Sequence, residues 1–434
     1  MGPARLCGAR HMIPGIAGNP YLGVYTPKHL FRRGADGWIL LPRDHSTLWI
    51  DEERTEQASL PGDPVWWIGD KSPSQNHFSA VSSAARGRLY RWPASAVLAG
   101  SPRNLLKRTE ALDSWDVFGG ESSVTPGIDD PFGGTNAFRL TGVSNLGRVR
   151  VPGQTVITTG TYTMTLYART ISGSGIRFFP NGGVTPFTSE WQRYEVPVVY
   201  GGISTEFQFR LRPGPPDIVD VYLPQLQVGS SALPYQRVGN NFWDVSEDGY
   251  PDCWGIGHDG VTTQYLSTRG IPLFRDGRIA ACVAQTKFND IGGNGIVLAS
   301  QTTGSTDNAF ALYAPATNQS YVSRYRTTAN LQASTSIIYP AQHSAILSSR
   351  VESNLPCSIT LRVNNDEDIL AQGVGGGTLN SLTWSLGAFR GGTLPFNGIV
   401  WGSIMVADDP EPDIWEIGAR QWLSDNAMGG ILAI

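Results

Sequence analysis

The chain has 434 residues and a formal charge of −4, with 40% hydrophobic and only 16% charged residues, 51 Gly, 29 Pro and 13 Trp. Disordered chains lack aromatics and carry high net charge, and helical bundles need Ala, Glu, Lys and Leu with few turn-formers, so both are excluded. What remains is an all-β protein with many Gly/Pro turns, whose net charge gives no argument for nucleic acid.

Charge is unevenly spread: residues 1–108 carry a balance of +6 and the remainder −10. The first 36 residues hold Arg5, Arg10, Lys28, Arg32 and Arg33 against Asp36 alone, with a PGIAGNP run. We expect residues 1–36 to be an extended arm that attaches the subunit to a particle. No apolar run here is long enough for a signal peptide, and none elsewhere for a membrane span. Cys7, Cys253, Cys282 and Cys357 lack metal or redox spacing, so free thiols and folding in a reducing cytoplasm are expected.

Residues 37–102 are Trp-rich, with turn signals at Pro61-Gly62-Asp63-Pro64 and Pro73. They show too few strands to close a sandwich and too many Trp to float free, so they should pack on the C-terminal domain. Trp66, Trp67 and Trp92 are candidates for burial at subunit contacts. Residues 103–238 alternate cleanly. Tyr162, Met164, Leu166 and Ala168 share one face, and Thr163, Thr165, Tyr167 and Arg169 the other. Likewise Phe207, Phe209 and Leu211 oppose Gln208, Arg210 and Arg212. Strands with one apolar face need a second sheet to cover it, which predicts a sandwich. Residues 239–434 read as a further run of strands ending in a helix. There Trp415, Ala419, Trp422 and Leu423 form a stripe that packs on the sandwich, and Gly429-Gly430 stops the helix.

Three stretches carry a resemblance. Residues 37–90 hold a Trp strand, the S-T-L-W turn Ser46–Trp49, the strand Pro64-Val65 and a D-K-S-x-x-x-N-H segment in which Pro73 stands where Gly is usual and Asn76-His77 is kept. Residues 104–118 (NLLKRTEALDSWDVF) lead to TYTMTLYART, SEWQRYEVPV and VYLPQLQVGSSALPYQRVG. From NFWDVSEDGYPDCWGIGHDG the chain runs to IWEIGARQWLSDNAMGG. These stretches resemble structural fibre and spike proteins of tailed phages and phage-like particles such as gene transfer agents. In that family a laminin-G/concanavalin-like jelly roll holds an inserted carbohydrate-binding module of the family-four type. The resemblance implies two β-jelly-roll sandwiches, with an irregular N-terminal segment and one C-terminal helix. The domains would be residues 1–36, 37–102, 103–238 and 239–434.

It also implies a virion protein, head or tail, assembled in the bacterial cytoplasm and displayed on the virion surface. Its expected partners are other virion proteins, copies of itself and a host-surface polysaccharide, without nucleic acid or membrane insertion. The polar strand face of the middle domain supplies the sugar contacts: Tyr167 to stack, Arg169 and Arg210 to meet hydroxyls or acidic groups, and Gln208 and Gln225 to fix orientation. Trp115 and Trp191 read as core. Catalysis is not expected. The paired carboxylates of lectin-fold glycosidases are missing, and Asp51-Glu52-Glu53 and Asp366-Glu367-Asp368 read as solvated turns. His258-Asp259 reads as a structural strand edge. No cofactor is expected. Calcium often accompanies both folds, but no Asp-rich ligand loop predicts it. The alternatives are a polysaccharide-degrading enzyme or its accessory module, and a purely structural subunit.

Overall fold

In a computed structural model the described residues run from Leu30 to Gly430, apart from 32–34, 119–121, 143–146, 153–156, 180–183, 205, 212–216, 261–263, 269–277, 289–294, 302–308, 315–319, 327–329, 337–338, 340–341, 354–355, 367–368, 374–382, 389–393 and 409–411. The expected arm (nearly all of 1–36), Cys7, Arg212 and Glu367-Asp368 lie outside them. The protein is all-β, and every strand pair within its sheets is antiparallel.

Two nine-stranded sheets form the larger sandwich. One runs in the order Ile369–Gly373, Cys357–Val363, His343–Glu352, Arg278–Lys287, Asn397–Ala407, Asp252–Asp259, Gly87–Pro93, Pro64–Val65, with Gly37–Leu40 also pairing Asn397–Ala407. The other runs Leu48–Trp49, Trp67–Ile68, Phe78–Ala80, Leu266–Thr268, Thr383–Leu386, Gly295–Gln301, Ala309–Ala314, Val322–Arg326, Asn330–Ser334. The opening segment contributes strands to both sheets, and Arg88–Pro93 pairs residue for residue with Asp252–Gly257.

The first of these sheets is buried on both sides, which explains its near-continuous apolar strands. Ile279, Ala281 and Val283 enter the core between the two sheets. Ala280, Cys282 and Ala284 enter a second core under the C-terminal helix α2 (Pro412–Ala427) and the short helix α1 (Ala94–Ala99). Trp415, Ala419, Trp422 and Leu423 of α2 are all in that second core, as the stripe predicts. A side chain at Gly402 would meet Leu423 Cδ2 at 2.9 Å and Ala427 Cβ at 3.2 Å, so α2 packs closely over this glycine. Trp92 is not a surface ring: it is buried in the second core, and its Nε1 donates to the Phe242 carbonyl at 2.6 Å. The three described cysteines are free and buried, and burial pushes the Cys253 thiol up to about 12.

The motif D-K-S-x-x-x-N-H is a clamp. The Asp70 carboxylate accepts from the backbone N–H groups of Ile39, Ser72 and Asn76, each at 2.7 Å. The Asn76 side-chain amide donates to the Gly37 carbonyl at 2.7 Å, and His77 Nδ1 accepts from the Asp70 N–H at 2.9 Å. These bonds fix the first strand to the loop that leads into the second sheet.

The smaller sandwich is inserted between these parts. One sheet runs Val184–Thr185, Ile176–Phe179, Gln208–Leu211, Arg148–Arg150, Asp116–Phe118, and the other Gln192–Tyr200, Gly160–Ser172, Asp217–Val228, Ala137–Gly142, Ser123–Ile128. Its separate core holds the alternating residues Tyr162, Met164, Leu166 and Ala168 from one sheet, and Phe207, Phe209 and Leu211 from or beside the other. Trp115 is also in this core, stacked on Phe209 at 5.3 Å.

The two ends of the insert are tied together. Buried Asn104 donates its amide to the Gln236 carbonyl at 2.8 Å and accepts from the Leu106 and Leu226 N–H groups. Arg103 and Gln236 both reach Glu247, which also accepts from Ser95 Oγ in α1.

Candidate functional site

The outward faces of the inserted sandwich carry the sequence candidates, but the five do not share one surface. Tyr167 and Arg169 lie on the long strand Gly160–Ser172, whereas Gln208 and Arg210 lie on the opposite sheet, with the core between them. Equal alternation in two strands says which residues are outward; it does not say which sheet each strand joins.

Gln225 shares a sheet with Tyr167 but is fully buried. Its amide donates to Gln227 Oε1 at 2.7 Å and to the Pro234 carbonyl at 3.2 Å, and its Oε1 accepts the Gln236 N–H at 2.8 Å. Gln227 in turn donates to the Ser231 carbonyl at 2.6 Å. The two glutamines therefore hold down the segment 231–236, and Gln225 is closed to a ligand. Gln208 is buried as well, donating to Glu206 Oε2 at 2.5 Å and accepting from Arg210 Nε at 3.2 Å.

Around Tyr167 and Arg169 a site does assemble. Asp220 is opposite Arg169 in the neighbouring strand and opposite Arg139 in the next, so cross-strand register alone brings the three together. Asp220 is fully buried and accepts from Arg139 Nε at 2.7 Å, Arg139 Nη2 at 3.1 Å and Arg169 Nε at 2.9 Å. Its hydrogen bond and charge hold the Arg139 guanidinium above its ordinary value. One carboxylate facing two guanidiniums leaves a net positive charge on the face. The Arg169 guanidinium also lies 4.9 Å from the Trp191 ring centre. Trp191, expected in the core, is instead half-buried on this outer face.

Two rings join Tyr167, which lies two residues along the strand from the arginine and on the same face. A bulge in the strand Asp217–Val228, between the pairs Thr165–Gln225 and Tyr167–Tyr222, inserts one residue and turns Tyr222 to the side of Tyr167. Leu223 at this bulge has φ +50°. Phe132 is 68% exposed, with its ring 5.2 Å from Tyr167 and 6.2 Å from Tyr222. Phe132 is presented by a tight loop folded round Asp130, whose Oδ1 accepts from the N–H groups of Phe132 (2.9 Å) and Gly134 (3.1 Å). Desolvation opposes that charge, but these donors outweigh it and hold the carboxyl below its ordinary value. Gly133 has φ +89°, a conformation that favours glycine here. Phe132, Tyr222, Arg139 and Asp220 are the functional candidates the sequence reading missed. Pro224 inside a strand pattern is the signal that could have exposed the bulge.

The other polar clusters have structural roles. His258 is buried, its Nδ1 3.2 Å from the Gln264 carbonyl, and desolvation pushes it down to about 4. Asp51 closes a turn by accepting from the Thr55 and Glu56 N–H groups. A cavity of about 620 Å³ separates the sandwiches, but its one charged lining residue, Arg103, is committed to Glu247. Among the described residues there is no group of three His, Cys, Asp or Glu that could hold a metal ion, and no helix long and apolar enough to cross a membrane.

No family model and no curated protein matches this chain. Solved structures with partial likeness include the carbohydrate-binding module CBM40 of a Ruminococcus gnavus IT-sialidase (16% identity, TM-score 0.27, covering 38% of this chain and 96% of that one). Tailspike protein 2 of an Escherichia coli O157:H7 bacteriophage is similar over 37% of this chain and 23% of that one, at 10% identity and TM-score 0.27. Domains LG4-5 of the mouse laminin alpha1 chain are similar over 62% and 89%, at 10% identity and TM-score 0.27. At these TM-scores the likenesses carry no further argument.

Proposed function

We propose that this chain is a non-catalytic, glycan-binding subunit of a phage-like particle, and that it holds a host-surface polysaccharide on the aromatic face of the inserted sandwich. The observation that carries the binding reading is the set Phe132, Tyr167 and Tyr222 beside an arginine prepositioned by buried Asp220. Rings accept the apolar face of a pyranose, and the guanidinium edge meets hydroxyls or a carboxylate. The central carboxylate is held by two arginines and is therefore not free to act as an acid or base. The particle setting, the virion-surface location and self-association follow from the sequence resemblance. A shallow site gives weak monovalent affinity, and several copies raise avidity by roughly 10²–10⁴ where geometry permits.

The test is a glycan array, followed by attachment of particles carrying Phe132→Ala with Tyr167→Ala. Binding and attachment are expected to fall while the protein still enters particles. Unchanged attachment removes this face from consideration, and release of reducing ends from capsule would replace the reading with an enzymatic one.

A further inference from the structure

The opposite outer face of the inserted sandwich presents a different chemistry. Arg177 is the register partner of Arg210, Arg210 of Arg148, and Arg148 of Phe118. Their neighbours Ile176, Phe178, Val149, Phe209 and Leu211 fill the core, so the three arginines all point outward. Three like charges directly opposite one another on adjacent strands destabilise a sheet. Among the described residues no carboxylate lies within 4.0 Å of Arg148, Arg177 or Arg210; Glu206 acts on Arg210 only from beyond that distance. Arg150, one row away, is held by Asp116 and Glu206 instead.

Rings hold the guanidiniums in place. Arg210 lies 3.5 Å from the Phe179 ring centre and Arg148 5.6 Å from that of Phe118. Phe118 ends the row and is 37% exposed. Burial, then Arg148 and Arg177, pull the Arg210 guanidinium below its ordinary value, and the charge of Glu206 offsets this only in part.

We propose that this arginine row is a second binding surface, separate from the aromatic face, and that its occupant is a single carboxylate-bearing polysaccharide chain lying across the strands. Each guanidinium can pair with a carboxylate in a two-pronged way. Strands lie about 4.8 Å apart, so the row is about 10 Å long, the length of a short saccharide segment. It is narrow as well: Asp116 and Glu206 bound it on one side, where a wide, densely charged nucleic acid duplex would meet like charge. The chain's net charge of −4 opposes such a duplex further.

The experiment measures binding of the full chain to immobilised polygalacturonate, with dextran, duplex DNA and polyphosphate as comparison polymers. Polygalacturonate is expected to bind at low salt, to weaken as NaCl rises, and to exceed the other three. Arg148→Gln, Arg177→Gln and Arg210→Gln should each weaken binding by about tenfold, the usual effect of one charged hydrogen bond. Arg193→Gln, on the other sheet, should not. Arg210→Lys should recover only part of the loss. On the unmodified protein, polygalacturonate should protect Arg148, Arg177 and Arg210 from phenylglyoxal while leaving Arg193 reactive. Equal binding of dextran, DNA or polyphosphate, a triple variant that binds normally, or absence of protection would each overturn the proposal.

Discussion

The two sandwiches solve the same problem in opposite ways. In the larger one the central sheet is covered twice, by a second sheet and by α2, so consecutive residues such as Ile279 to Ala284 are all buried and chemistry at its centre is shut in. The inserted sandwich has one core and two outer faces, and alternation there points a ring cluster with Arg169 to one side and a row of arginines to the other. The lesson is that polar residues in a strand signal a surface only after the number of covered faces is known.

The comparison breaks first at the level of fragments. Residues 103–238 should fold alone, because their core and both sheets are internal. Residues 239–434 should not, because they lack the strand Gly87–Pro93 and three strands of the second sheet. Heat-capacity scans of the two fragments check this; a cooperative transition in 239–434 would show the opening segment to be dispensable.

Acid should separate them next. The four described histidines, His45, His77, His258 and His343, all lie in the larger sandwich, and burial lowers each of them. His258 and His343 fall to about 4 from an ordinary 6.5. A depressed folded value means that stability is fully present above pH 6.5 and is lost as pH falls towards 4. Each contributes up to about 3 kcal/mol. The inserted sandwich has no histidine. Fluorescence-monitored urea unfolding at pH 7 and pH 4.5 should therefore show the larger sandwich weakened and the smaller one nearly unchanged.

Within the insert, Asp220→Ala should cost about 3 kcal/mol, because it strands two guanidiniums round a buried vacancy. Thermal unfolding of the isolated 103–238 fragment reads this directly. Phe132→Ala marks the small end. Its exposed ring should change the melting point by less than the equivalent of about 0.5 kcal/mol while lowering glycan binding, so that function and stability come apart at one position.

How far these features were legible follows from what each depends on. The apolar sets 162/164/166/168 and 207/209/211 and the α2 stripe depend on local periodicity, and all are in cores. The single surface imagined for Tyr167, Arg169, Gln208, Arg210 and Gln225 depends on sheet membership and on the cover over Gln225, which are long-range properties. The site around Asp220 depends on a bulge at Leu223-Pro224, which reverses the parity of everything after it. Asp220 and Tyr222 therefore looked out of step with Gln225 although all share a face. The buried clamp at Asp70 was visible as a motif, yet its reason, three backbone donors converging on one carboxylate, exists only in the fold.

The tie between Asn104, Gln236 and Glu247 has a mechanical consequence. Chain enters and leaves the inserted sandwich at neighbouring points, with the Arg108 N–H donating to the Gly239 carbonyl at 2.8 Å. Tension that separates the two halves of the larger sandwich is therefore borne by their paired strands and this short bridge, and bypasses the sheets of the insert. A pull applied to the insert itself divides between two parallel tethers. The two outer faces of the insert thus stay unstretched under a load that has to part Asn104 from Gln236.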